Sequence, residues 1–314
     1  LYRFEKRKIM KKSILFTLAL LATSLFGHAQ YNTCAGKSEV MESRTVEMHD
    51  EATGEMKKVV VQEKVKNTDG FGNASGNQYD LAVDGAFEGQ TIVVLQFCRD
   101  AGYNFDLAKV ALKEKGFGVY QFIHAAPTPE QLEEALSKAC QLWVISSTSQ
   151  LLNDEHAEII QRFFHSGKGV YLWGDNDPYY ADANFLAEKL IGISMNGNYM
   201  GTKNVGFKTE ANTSGMRPDH LITTGLEFVY EGITIAKIND PKQVVQPLIW
   251  SSDGNVVTAI YENQGQRLII DGGFTRLCHS WDSAGTGRYV KNAAAWLVNY
   301  ERFGEAVVSE LIEK

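Results

Sequence analysis

From Thr91 onward the chain alternates short apolar runs with amphipathic stretches. Thr91–Phe97 is almost wholly apolar, as in a strand buried on both faces. Leu107, Ala108, Ala111 and Leu112 then share one helical face, with Asn104 placed to cap its start and Gly116 just past its end. Phe117–Ile123 predicts a second strand. Thr128-Pro129-Glu130-Gln131 is a capping box with proline at the first helical position, and Leu132, Ala135, Leu136 and Ala139 follow at helical spacing. Leu142–Ile145 predicts the third strand. Ala157, Ile160, Phe163 and Phe164 give a third helix that stops at Gly167; Gly169–Trp173 is a fourth strand and Ala183–Leu190 a fourth helix. Successive strand–helix pairs demand right-handed crossovers and a parallel sheet with helices on both faces. The predicted class is α/β: a flavodoxin-like open parallel sheet.

Between Ile193 and Asp271 strands and turns replace this rhythm, with Asn196-Gly197 and Gly254-Asn255 as hairpin signals. Arg267–Ile270 predicts another core strand, and Val290, Ala293, Ala294, Leu297 and Val298 a closing helix. This half reads as a β-rich extension of the same domain, which the pattern bounds at residues 79–303, with a C-terminal tail at 304–314. Upstream, residues 30–78 are polar and poor in large apolar side chains. The turn-rich run Asn67–Asn77 buries little. A flexible leader is expected there, with one strand at Val59–Val61.

The first residues follow another logic. Lys11 and Lys12 precede the apolar stretch Ile14–Phe26, which ends at Gly27-His28-Ala29. This is the arrangement of a secretory signal peptide cut before Gln30, with Met10 as initiator and residues 1–9 upstream of it. The apolar stretch is well short of the ~20 residues a membrane span needs. The expectation is a periplasmic or secreted protein without membrane insertion. The full chain carries a formal charge of −7. Removing residues 1–29, which hold a net +5, leaves −12. Such a balance disfavours nucleic acid as a partner.

Cys34, Cys98, Cys140 and Cys278 show no CxxC or CxxH spacing, so no structural zinc site is expected. Cys98 and Cys140 fall at opposite ends of neighbouring strands, too far apart for a disulfide; Cys278 shares the edge of Cys98. No GxGxxG or P-loop appears, and no cofactor is expected. GxSxG and HExxH are also missing.

Ligands of open parallel sheets bind beyond the carboxyl ends of the strands. That rule selects Arg99 and Asp100, His124, Ser146 and Ser147, Asp175-Asn176-Asp177, and the run holding Asp271, Arg276, His279 and Asp282. Asp175 and Asp177 suit cation binding, water activation or sugar hydrogen bonding; equally, Asp-Asn-Asp-Pro is turn chemistry that caps the next helix. Arg276 and Asp282 suit a pocket, or pair to pin a long loop.

Three segments carry a family resemblance: Phe163–Gly174, His220-Leu-Ile-Thr-Thr-Gly-Leu226 and Gly265–Gly273. They resemble the class I glutamine amidotransferase-like superfamily, and more closely its ThuA-like and GIFT-like branches. The likeness spans about residues 88–300. In that superfamily a Cys nucleophile sits on a tight strand-to-helix elbow; here the corresponding position is Gly174 or Asp175, and the partner His-x-Glu dyad is missing. The resemblance therefore implies the fold without glutaminase chemistry. Two functions stand: a non-catalytic module binding a small molecule, carbohydrate-like among the options, or a protein; and a ThuA-like hydrolase or lyase acting on a carbohydrate-like substrate through Asp175 or Asp177 and His279.

Overall fold

The structure, a computed structural model, describes residues 39–49, 55–66, 80–100, 102–281 and 284–300. The expected signal peptide, Cys34, Asp282 and the tail lie outside them. The described chain opens with strands β1 (Glu39–His49) and β2 (Met56–Lys66), paired antiparallel in one hairpin. This is more regular structure than a leader with one strand at Val59–Val61. The extra order rests on cross-strand pairs such as Val46 opposite Val59 and Glu47 opposite Lys58, which a reading of one strand at a time does not display.

The body follows as β3 (Thr91–Gln96), α1 (Asp106–Glu114), β4 (Gly118–Ile123), α2 (Pro129–Ser137), β5 (Gln141–Ile145), α3 (Asp154–His165), β6 (Gly169–Trp173) and α4 (Ala181–Ile191). Its second half holds β7 (Ser194–Met200), β8 (Asn204–Val205), β9 (Gly215–Met216), β10 (Val229–Tyr230), β11 (Thr234–Asn239), β12 (Gln246–Trp250), β13 (Val256–Asn263), β14 (Gln266–Asp271) and α5 (Thr286–Leu297). One eight-stranded sheet runs β4-β3-β5-β6-β14-β13-β12-β9. The first five strands in that order are parallel, and β13, β12 and β9 continue antiparallel. The fold is α/β and flavodoxin-like, with the β-rich half extending the same sheet.

Local chemistry explains most boundaries. Thr128 and Gln131 form the reciprocal capping box at α2. At α1 the cap falls one residue later than the pattern placed it: Phe105 is the N-cap, and Asn104 Oδ1 accepts from the Asp106 N–H at 3.2 Å. Gly254 turns the chain between β12 and β13 at φ 84°. Asn196-Gly197, by contrast, lies inside β7, where the pairing with β11 shifts register. A positive-φ glycine serves a bulge as readily as a turn.

Alternation along the strands fills two cores. Ile92, Val94, Trp143 and Tyr171 face α1 and α5; Val93, Leu95, Leu142 and Leu172 face α2, α3 and α4. Each fully buried aliphatic side chain contributes about 1.5–3 kcal/mol. Residue 169 must be glycine because a Cβ there would lie 2.4 Å from the Leu297 carbonyl oxygen. No described helix is long and apolar enough to cross a membrane.

Candidate functional site

Strand register lines up Ile123, Gln96, Ile145, Trp173 and Asp271 as one row across the parallel strands. Every loop selected from the sequence leaves the sheet just beyond that row. Phe274, in the 3-10 turn Phe274–Leu277 after β14, gathers three of them. Tyr103 from the β3 loop meets its ring edge-on at 5.4 Å, and Tyr179 from the β6 loop does so at 6.1 Å. The Tyr179 hydroxyl also hydrogen-bonds Asp100, which raises its pKa.

Beneath this aromatic group sits Asp175, 1% exposed. Its Oδ1 accepts from the Asn176 N–H at 2.8 Å, and its Oδ2 from the Thr275 N–H at 3.1 Å. The Thr234 hydroxyl lies 2.7 Å from Asn176 Oδ1 and 3.2 Å from Asp175 Oδ1, with one proton to give. Burial pushes the Asp175 pKa up to about 7 against these stabilising hydrogen bonds. Cys98 and Cys278 stand within electrostatic reach of it and of each other. Burial raises their thiols to about 11 and about 12, so both are protonated at neutral pH. Cys98, Cys140 and Cys278 form no disulfide with one another. The Tyr103 hydroxyl, buried beside the same groups, has no hydrogen-bond partner among the described residues.

A second network lies deeper. Asp271 and Arg276, both 0% exposed, pair at 3.3 Å. Asp271 Oδ2 faces the hydroxyls of Thr258 (2.9 Å), Tyr289 (3.1 Å) and Tyr171 (3.3 Å), and its Oδ1 accepts from the Gly273 N–H at 2.9 Å. Arg276 donates from Nε to the Gly273 carbonyl and from Nη2 to that of Glu231. These contacts hold the 3-10 turn against β14 and α5.

The residues selected from the sequence therefore separate. Asp175 and Asn176 come together under the aromatic group, with Asp100 bonded to its Tyr179. Asp177 is exposed and accepts from the Tyr180 hydroxyl at 2.8 Å. Arg99 is exposed and donates to the His124 carbonyl; His279 is also exposed, and Ser147 is half-buried. Ser146, Asp271 and Arg276, expected to face a ligand, are turned into the protein. All three are fully buried. Ser146 Oγ accepts from the Ala183 N–H at 2.6 Å and so caps α4 from the neighbouring strand. Neither Asp175 nor Asp177 caps that helix. Arg276 pairs with Asp271; the expected pairing with Asp282 lies outside the described residues. Tyr103, Tyr179, Thr234, Phe274 and Thr275 were not foreseen. Thr234 arrives from β11, and no spacing in the sequence ties it to Asp175.

No known family profile and no curated protein matches the chain. Among solved structures it is similar to PurLQS from Thermotoga maritima, at 11% identity over 67% of this chain and 99% of that one, TM-score 0.41. A ThuA-like protein from Parabacteroides merdae shares 12% identity over 67% of this chain and 90% of its own, TM-score 0.40. An exo-beta-1,4-mannosidase from Opitutaceae bacterium strain TAV5 shares 12% identity, TM-score 0.38; the match covers 67% of this chain and 36% of the mannosidase.

Proposed function

We propose that the chain is an exported, non-catalytic binding module of the glutamine amidotransferase-like type. Its ligand, a small molecule such as a carbohydrate or a segment of a protein, would seat on the carboxyl edge of the sheet. The observation that carries this reading is the β6–α4 connection. A nucleophile elbow is a sharp, strained turn that projects a side chain straight from strand to helix. Here Asp175 is not among the residues of positive φ. Its carboxyl is buried under donors from Asn176, Thr234 and Thr275, and Asn176–Tyr180 intervene before α4 begins. Of the residues selected at this edge, Arg99, Asp100, His124, Asp177 and His279 face solvent, groups suited to hydrogen bonding. Export is supported by the basic and then apolar start of the chain; peptide mapping of exported protein should find Gln30 as its N-terminus.

One observation favours the hydrolase or lyase alternative: a carboxyl titrating near 7 suits general acid–base work. A single panel separates the two. Simple sugars, aryl glycosides and glutamine are tested for turnover and, by calorimetry, for binding. Saturable binding without turnover, weakened at least tenfold by Asp100→Ala or Asp177→Ala with an unchanged melting temperature, supports the module. Turnover abolished by Asp175→Asn would replace it with the enzyme.

A further inference from the structure

Away from the carboxyl edge, the β-rich half holds a cleft of about 640 Å³ between the end of β11, the chain that links it to β12, and β12 itself. That volume falls within the ~300–1,000 Å³ of small-molecule pockets. None of the described residues that contact Asp175 lines it. Much of its wall is apolar: Ile238, Val245, Pro247, Val256 and the half-buried indole of Trp250. Lys208 Nζ lies 3.8 Å from the centre of that indole and fixes its plane. One cation belongs to the wall. Arg217 directly follows β9, whose pairing with β12 brings it alongside Leu248, and its backbone N–H donates to the Leu248 carbonyl at 2.7 Å. From its guanidinium, Nη1 donates to Gln246 Oε1 at 2.7 Å; among the described residues no carboxylate pairs with it. The acid in the wall, Asp240, serves its own loop instead. Its Oδ2 accepts from the Val245 N–H at 2.9 Å and its Oδ1 is buried.

We propose that this cleft is a second binding site, one that takes a small organic carboxylate with a flat apolar body, such as an arylalkanoic acid. The guanidinium fork matches a carboxylate in both geometry and charge. The indole of Trp250, with Pro247 and Val256, supplies the surface that removes the apolar body from water. A neutral ligand would leave the Arg217 charge unanswered. A small inorganic anion would answer the charge but leave the apolar wall wet.

Calorimetric titration of the full chain with phenylacetate and with its neutral counterpart phenylacetamide tests this. The acid should saturate with a Kd of about 1 mM or tighter, and the amide should bind at least about tenfold more weakly. In Arg217→Gln the acid should weaken by about tenfold and lose its advantage over the amide. Trp250→Leu should weaken acid and amide alike, because it removes apolar contact and no charge. The comparison of acid with amide needs no substitution, so it decides even if a variant fails to fold. Weaker binding of the acid, a smaller preference over the amide, or binding untouched by Arg217→Gln would each overturn the proposal.

Discussion

At the scale of single residues, two buried titrating groups act in opposite directions over the same pH range. Asp175 has its folded pKa raised by burial to about 7, against about 3.9 when unfolded. Its contribution to stability is therefore fully present below pH ~4 and is lost as pH rises through ~7. A shift of that size corresponds to at most ~4 kcal/mol. Asp175→Asn should flatten the decline between pH 4 and 7 in chemical denaturation; an unchanged profile would mean the carboxyl is already ionised in the fold. His220 behaves inversely. Burial depresses it to about 4, while its Nδ1 accepts from the Ile222 N–H at 3.2 Å. Its contribution is present above pH ~6.5 and is lost as pH falls through ~4. His220→Asn keeps an acceptor at that cap and should move the onset of acid unfolding to lower pH.

Elements here are held as much by neighbours as by their own sequences. Helix α2 carries its own start signal in Thr128 and Gln131. Helix α4 does not: Tyr180 is its N-cap without a side-chain bond, and the acceptor comes from Ser146 at the end of β5. Ser146→Ala should cost ~1–2 kcal/mol, because a buried N–H loses its partner. Thermal melts should show the loss, with ligand binding intact. Asp177→Ala should do the reverse. An exposed loop carboxylate changes stability by no more than ~0.5 kcal/mol, so its loss tests ligand contact without weakening the helix.

Across the whole molecule, the join between the parallel half and the β-rich extension is the Asp271–Arg276 pair with its ring of hydroxyls from β6, β13 and α5. Breaking a buried pair by removing one partner costs ~3–5 kcal/mol. Arg276→Met should lower the free energy of unfolding by that amount in chemical denaturation, and Asp271→Asn added to it should recover part of the loss, since the unpaired buried charge is then gone. Failure to recover would place the energetic weight on the Arg276 contacts to the Gly273 and Glu231 carbonyls.

What the sequence determined by itself was whatever is encoded locally. The apolar runs Ile92–Leu95 and Val170–Trp173, the box at Thr128 and the stops at Gly116 and Gly167 are signals within a few residues of one another. They suffice for four parallel strands, their helices and the edge where loops gather. The tertiary structure decided everything that depends on contacts between distant segments. It paired β14 with β6 and placed Thr234 against Asp175. It buried Asp271 and Arg276, which in a linear string look like exposed loop residues. It also showed that Ser146 serves a helix beginning 35 residues downstream, at Ala181. A side chain's type fixes what bonds it can make; only the fold fixes which partner arrives and whether water is left to compete for it.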